Sequence, residues 1–227
     1  MESNEVVIIG AGGHAKVVID VLRQSSRLYP RVCVAKRSDD GRSILGVPVV
    51  SDETIFEHLL RTGMNKAFVA VGNNRLRRKL IETTRMAGFE IISAISHRAY
   101  IADGVELGLG TLVMPGAIIG ADSRIGDGTI VNTRASIDHD NVIGECCHIA
   151  PGSTLAGTVT LESEVFLGAG TTVIPERKIG HGAIVGAGSV VVRDIPAHAV
   201  AYGTPARVQR ILQTDGDSAA SSDTKAA

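Results

Sequence analysis

The most chemically suggestive residue of this chain is a histidine between two carboxylates. His139 stands in the triplet Asp138-His139-Asp140. Adjacent carboxylates stabilise the protonated imidazole and raise its basicity, which suits a general base working near neutral pH. A surface histidine in a charged turn would have the same local sequence. We predict that His139 is a catalytic general base, with Asp140 as its carboxylate partner.

A glycine-rich turn near the N-terminus is a second candidate site. The turn is Gly10-Ala11-Gly12-Gly13-His14-Ala15, directly after an apolar stretch and before a helical pattern. Bare backbone N–H groups at the start of a helix bind phosphate, and the helix dipole adds to this. Gly72 opens a second turn after another apolar strand, so both turns should meet at the carboxyl edge of one sheet. A nucleotide-bearing substrate, a dinucleotide and a purely structural turn all remain possible here, and the shortness of the segment disfavours NAD.

The elements that must position these residues are visible as a six-residue repeat. From 101 to 191 every sixth residue is Ile, Leu or Val, sixteen times without an insertion. This period belongs neither to an α-helix nor to an ordinary strand, and it predicts one apolar anchor per flat rung of a β-solenoid. Three hexads make one triangular coil of 18 residues. His148, nine residues after His139, should therefore lie half a coil away and near an edge of the rod.

Composition excludes several classes of function. The net charge is −1 and aromatic residues make up 3% of the chain without tryptophan, which argues against a nucleic-acid partner. No apolar run reaches the roughly 18 residues of a membrane span, and no signal peptide is evident, so we expect a cytoplasmic protein. A solenoid zinc hydratase needs three histidine ligands, and no pair here has the H-x4-H spacing. We therefore expect no metal.

The chain divides into four segments. Residues 1–95 alternate strands and helices and predict a small Rossmann-like α/β domain with a parallel sheet. Residues 101–195 form the solenoid, which we expect to stand as its own domain and to pack in threes. Residues 196–213 should cap it, with a short helix over Pro205 to Leu212, and 214–227 should be a disordered tail. The basic run Arg75, Arg77, Arg78 and Lys79 should be the solvated face of a helix.

Taken together, these motifs resemble a known family. The glycine turn, Val71-Gly72-Asn73-Asn74, Asn132-Thr133, the D-H-D-x-x-I-G-x-x-x-H-I-x-P-G stretch at 138–152 and Val200 to Ala206 are similar to the left-handed β-helix nucleotide-sugar N-acetyltransferases of bacterial glycan synthesis and the related sialic-acid O-acetyltransferases. The resemblance covers the chain to about residue 212. It implies a left-handed parallel β-helix, a homotrimer, and acetyl-CoA as co-substrate in the crevice between neighbouring solenoids.

The resemblance also implies roles for individual residues. His139 would take a proton from a sugar amine, and Asp140 would orient it. His148, Gly157, Ala169 and Ala187 would contact acetyl-CoA, with the Gly157 N–H polarising the thioester carbonyl. Residues of the nucleotide-sugar pocket would be Gly12, Gly13, His14 and Gly72.

One departure leaves the nucleotide open. Many relatives end the second strand in an acidic pair, whereas this chain has Ala35-Lys36-Arg37. UDP, GDP and dTDP are therefore all possible carriers of the amino sugar. O-acetylation of a sialic acid or related hydroxyl is the alternative reaction, and a non-catalytic sugar-nucleotide scaffold is a third possibility that the intact D-H-D triplet argues against.

Overall fold

The computed structural model of the protein describes residues 4–25, 27–36, 39–51 and 55–213. The predicted tail at 214–227 and the residue Arg37 lie outside that range. Among the residues described, no helix is both long and apolar enough to cross a bilayer.

The N-terminal part is an α/β layer structure built on a six-stranded sheet. Its strands are β1 (Glu5–Ile9), β2 (Tyr29–Val34), β3 (Ser43–Ile44), β4 (Val47–Val50), β5 (Lys66–Val69) and β6 (Glu90–Ile91), and its helices are α1 (Gly13–Ser25), α2 (Ile55–Arg61) and α3 (Asn74–Met86). The spatial order is β3-β4-β2-β1-β5-β6, parallel except for the β3–β4 hairpin. The central strand β1 is a continuous buried apolar run, as expected for a strand covered on both faces. The predicted parallel sheet is confirmed, while the β3–β4 hairpin had no predicted counterpart.

The predicted single strand over Phe89 to Ile95 is wrong. The chain forms β6 in the N-terminal sheet, leaves it after Ile91, and then starts the first rung of the rod at β7 (Ala94–Ile95). The change of sheet cannot be read from the sequence. Both short strands have one buried residue, so the stretch from Phe89 to Ile95 resembles a single strand.

The rest of the chain coils into a parallel β-helix with three flat faces. The first face contains β7, β10 (Leu112–Val113), β13 (Ile130–Val131), β16 (His148–Ile149), β19 (Phe166–Leu167) and β22 (Ile184–Val185); the second contains β8 (Tyr100–Ile101), β11 (Ile118–Ile119), β14 (Ser136–Ile137), β17 (Thr154–Leu155), β20 (Thr172–Val173) and β23 (Val190–Val191); the third contains β9 (Glu106–Leu107), β12 (Arg124–Ile125), β15 (Val142–Ile143), β18 (Thr160–Leu161) and β21 (Lys178–Ile179). Strands pair with those 18 residues away, for example Ile130 with His148. The 18-residue coil predicted from the hexads is confirmed.

The anchors of the hexads fill the interior of the rod. From Val113 to Val191 each is at most 3% exposed, and they join one continuous apolar cluster. Each fully buried Ile, Leu or Val stabilises the fold by roughly 1.5–3 kcal/mol before the loss of chain entropy is subtracted. A narrow column of interlocking aliphatic side chains explains the near absence of aromatic rings.

The turns between faces impose a left-handed backbone on the third residue after each anchor from Ile101 to Val185. In many coils glycine occupies this position, as Gly128 (φ 66°) and Gly152 (φ 68°) do. Asp140 adopts the same conformation, with φ 57°. Aspartate tolerates this region better than most residues because its short polar side chain bonds locally. Asp140 therefore occupies a backbone position that the fold elsewhere often gives to glycine.

The predicted C-terminal helix is also wrong. Residues after Pro196 form β24 (Ala199–Gly203) and β25 (Ala206–Ile211), an antiparallel hairpin whose first strand continues the first face beside β22. Gly203 to Ala206 make the turn, and the strands on either side continue the sheet rather than leaving it.

The N-terminal part and the rod share their apolar cores. One cluster joins Val6, Ile8 and Phe68 of the sheet with Leu112 and Ile130 of the first face. A second joins Ile81 of α3 with Cys146. The first face of the rod is therefore packed into the N-terminal core, while the separate-domain assignment of residues 101–195 stays a prediction.

Candidate active site

His139 and Asp140 form a bonded pair at an exposed turn of the rod. The turn joins the second face to the third, between β14 and β15. His139 Nδ1 lies 2.7 Å from Asp140 Oδ2, and both side chains are 58% exposed. Asp138 accepts a hydrogen bond from the His139 N–H, at 2.9 Å. With Nδ1 donating to Asp140, the other ring nitrogen, Nε2, is left unprotonated and can accept a proton.

The pKa of His139 is raised above its ordinary value. The hydrogen bond to Asp140 is the main cause, and the charges of Asp138 and Asp140 add to it. The sequence prediction of a more basic imidazole in this triplet agrees with this direction.

Gly157 lies one coil further along, against the ring of His139. A Cβ at this position would fall 2.7 Å from His139 Nε2 and 2.6 Å from Cε1. Only a residue without a side chain leaves room for the imidazole over this turn. The structure thus brings together His139, Asp140 and Gly157, three of the predicted site residues.

A second group of predicted residues meets where the N-terminal sheet touches the rod. Gly72 packs against His14, whose ring lies 5.6 Å from that of His148, centroid to centroid. The Nε2 atom of His148 is 3.1 Å from Asn132 Nδ2. The turns after β1 and β5 therefore do meet at one sheet edge, as predicted. His148, predicted at an edge of the rod, is buried on the first face beside two predicted substrate residues.

His148 is held neutral by its surroundings. Burial is the main cause that lowers the pKa of His148 to about 4, and the positive charge of Arg77 contributes to this shift. The same two causes lower the pKa of His14. Two adjacent neutral imidazoles can donate or accept hydrogen bonds to a polar ligand without changing charge near neutral pH.

The solvent exposure predicted for Arg77 is wrong. Predicted on a solvated face, the residue is 1% exposed. Its guanidinium donates to the carbonyls of Gly128, Cys146 and Cys147 in the rod, and to those of Val71 and Gly72 at 3.0 Å each. It also donates to Asn74 Oδ1. Arg77 therefore ties the Gly72 turn to the rod.

A cavity of about 640 Å³ opens beside this second group. Gly72 and Arg75 line it from the N-terminal part, Phe166 and His181 from the rod, and Leu212 from the end of the hairpin. Its volume suits a ligand of nucleotide-sugar size. The N-terminal end of α3, where Asn73 caps the helix by accepting the Leu76 N–H, faces the same region.

The remaining predicted residues lie elsewhere. Ala169 and Ala187 stack on successive coils, both exposed, at the turn between the first and second faces. Gly12 and Gly13 are exposed at the start of α1. Within one chain, the turn of His139 and the turn of Ala169 are different edges of the prism. No group of three or more potential metal ligands was found in the residues described.

A parallel β-helix that carries a carboxylate-bonded histidine, joined to a nucleotide-binding type of α/β sheet, defines an acyltransferase class of protein. The comparisons with known proteins specify the family. The model of the PglD N-terminal domain matches residues 5–84. GDP-perosamine N-acetyltransferase of Escherichia coli O157:H7 is 30% identical over 214 residues, which are 88% of this chain and 94% of that protein.

Solved structures agree. Perosamine N-acetyltransferase from Caulobacter crescentus, with a histidine replaced by asparagine and in complex with CoA and GDP-perosamine, is 47% identical with a TM-score of 0.87, over 91% of this chain and 97% of that one. The acetyltransferase domain of PglB from Neisseria gonorrhoeae, in complex with acetyl coenzyme A, is 33% identical with a TM-score of 0.83, over 91% and 99%.

Other relatives match over about half of this chain. UDP-3-O-acylglucosamine N-acyltransferase of Methylorubrum extorquens is 37% identical over 113 residues, and the match spans 32% of that protein and 50% of this chain. The likeness over nearly full length is to the perosamine N-acetyltransferases and the PglB acetyltransferase domain. This chain belongs to the hexapeptide-repeat nucleotide-sugar N-acetyltransferases, and the predicted family is confirmed.

Proposed function

We propose that this protein transfers an acetyl group from acetyl-CoA to the amine of GDP-perosamine. The observation that carries the proposal is the His139–Asp140 pair at 2.7 Å, which leaves Nε2 free to act as a base. The likeness to GDP-perosamine enzymes from two bacteria supports GDP over UDP or dTDP as the carrier. Transfer to an amine, rather than to a hydroxyl, follows the same relatives.

In the proposed reaction the sugar nitrogen attacks the thioester carbonyl carbon. His139 Nε2 accepts the proton that the nitrogen loses as the C–N bond forms. The Gly157 N–H donates to the carbonyl oxygen as it becomes negative, an interaction worth roughly 3–4 kcal/mol in other enzymes. The C–S bond then breaks, and the proton on His139 passes to the leaving sulfur of CoA. Asp140 holds the imidazole in the required tautomer throughout.

We further propose that the site is completed by a second copy of the chain, in a homotrimer. His139 and the residues predicted for acetyl-CoA, Ala169 and Ala187, are on different edges of one prism. Parallel packing of three prisms would set these edges against each other. His14 and Gly72 would hold the nucleotide sugar, with Gly12 and Gly13 at its phosphates, and His148 beside them would contact the acetyl-CoA end. Light scattering coupled to size exclusion tests the assembly, and a monomeric active enzyme would contradict it.

The direct test is the His139→Ala variant. We expect acetyl transfer to fall by about 10²–10⁴-fold, the usual contribution of a general base. Thiol release from acetyl-CoA is measured with GDP-perosamine and, separately, with UDP- and dTDP-linked amino sugars. His58→Ala, which removes an exposed histidine on α2, is the matched control and should keep full activity. Full turnover by His139→Ala would refute the assigned base.

The proposal places the enzyme in the cytoplasm, where acetyl-CoA and nucleotide sugars are made. Fractionation of cells that express a tagged chain tests this location. Recovery of the tagged chain outside the cytoplasmic fraction would contradict it.

A further inference from the structure

Asn141 is an unusual residue in its column of the rod. In most coils the fourth residue after the anchor is a buried Ala, Ser, Thr, Cys or Val beside the turn. Asn141 is the only carboxamide in this column, and it is 0% exposed. It follows the D-H-D triplet directly. The coil that carries the base therefore differs from its neighbours at a position buried beneath the turn.

The common residues of this column make a simple set of hydrogen bonds. Thr171 Oγ1 donates to the carbonyl of Gly168 in its own coil and, at 3.3 Å, to that of Gly186 in the next. Ser153 donates to the next coil alone. In each case the acceptor is the residue that follows an anchor. A hydroxyl has one proton, so it satisfies one such carbonyl at a time.

The amide nitrogen of Asn141 lies within hydrogen-bonding distance of both of these acceptors and of one more, so its two N–H groups are shared among three carbonyls. Its Nδ2 lies 2.8 Å from the carbonyl oxygen of Asp138 and 3.0 Å from that of Ala156, which are the two acceptors typical of the column. The third acceptor is the carbonyl of His139 itself, at 3.1 Å. That carbonyl also accepts the N–H of Thr158 from the next coil. The backbone of the base is thereby fastened to the residues on both sides of Gly157.

This arrangement has a cost that a hydroxyl would avoid. The Oδ1 atom of Asn141 is buried without a hydrogen-bond partner among the residues described. Exchanging the amide nitrogen and oxygen would set an oxygen against three carbonyls, so the orientation is fixed by its neighbours. An unpaired buried oxygen is unfavourable, and such exceptions in a folded protein call for a reason.

We propose that Asn141 is a positioning residue for the acetyl transfer, holding the His139 turn in register with Gly157 so that the base stays over the reacting centre. The proposal rests on the proposed function of His139. Asn141 touches no substrate in this scheme and acts only through the backbone of the base. Its carboxamide provides the second N–H that a serine or threonine lacks.

The test replaces Asn141 by residues that the column already uses. Asn141→Ser keeps one column hydrogen bond and loses the bond to His139. We expect kcat to fall on the order of tenfold, since sub-ångström misplacement of a catalytic group is enough for this. The KM values for acetyl-CoA and for GDP-perosamine should stay within about twofold, and the thermal midpoint should stay close to that of the parent. Thr111→Ser, a buried hydroxyl of the same column far from the triplet, should change nothing.

A double variant separates positioning from a general structural role. In a His139→Ala background, Asn141→Ser should cause no further loss, because its effect passes through the base. Loss of the same factor in both backgrounds, or unchanged kcat in Asn141→Ser, would overturn the proposal. Should Asn141→Ser fold poorly, Asn141→Cys carries the same comparison, since Cys147 already occupies this column. Unchanged activity of His139→Ala alone would instead refute the proposed function.

Discussion

Gly157→Ala tests the geometry of the site through a single methyl group. The added Cβ would lie 2.6 Å from His139 Cε1, where ordinary contact begins near 3.4 Å. The ring must therefore move by about 0.8 Å from the position in which it bonds Asp140 at 2.7 Å. A displacement near 1 Å at a reacting group can cost up to about 10²-fold in rate. We expect kcat to fall 10- to 100-fold.

The same variant should fold normally. Gly157 is not among the positive-φ glycines, so alanine fits its backbone conformation. Its N–H is retained, which keeps the proposed donor to the thioester oxygen. The assay is thiol release under saturating acetyl-CoA, with a thermal melt of the same preparation and an NMR titration of His139. The pKa of His139 should move toward its ordinary value as the bond to Asp140 lengthens.

A parent-like kcat in Gly157→Ala, together with an unshifted His139 titration, would refute this reasoning. Such a result would mean that the imidazole can move away from the turn without loss of catalytic rate. Neither Asp140 nor the turn would then fix the catalytic position of the ring.

Three further expectations concern charge. Asp140→Asn removes the main cause of the raised pKa of His139, so the acid limb of kcat/KM against pH should move to lower pH, and an unmoved limb would contradict the pairing. Arg77→Met leaves buried carbonyls without their donor, and urea unfolding should show a loss on the order of 3 kcal/mol, whereas a surface arginine would cost under 0.5 kcal/mol. The pKa of His148, about 4 when folded and about 6.5 when unfolded, predicts stability that is retained above pH 6.5 and lost as the pH falls from 6.5 toward 4, as pH-dependent melts of the parent and of His148→Gln can show.

The rod was predictable because its signal is local and repeated. Each anchor, such as Ile137 or Leu155, is predicted to point inward by its place in a hexad. Because the same pattern recurs sixteen times, a chance apolar residue at one position cannot change the prediction. The D-H-D triplet was predictable for the same reason, since His139 and Asp140 are neighbours in the chain and need no tertiary contact to meet.

The failures arise where packing between distant segments decides. Arg77 is on a helix whose sequence is basic on several sides, and only its docking against Cys146 and Gly128 buries it. His14 and His148 are in contact although they are 134 residues apart in the sequence, and no sequence spacing predicts such a contact. The hairpin after Pro196 had a local signal that was missed, since Gly203 and Pro205 are turn-forming residues.

The shared core of the sheet and the rod limits how such enzymes can be recombined. Leu112 and Ile130 belong to the β-helix by sequence, yet they share one apolar cluster with Ile8 and Phe68 of the N-terminal sheet. A chimera could replace residues 1–92 by the matching segment of an enzyme with another nucleotide specificity. Such a chimera would expose an unmatched apolar interface along the first three coils. Changing the nucleotide-sugar substrate of this scaffold therefore requires redesigning both sides of that interface, or confining the changes to the loops above it.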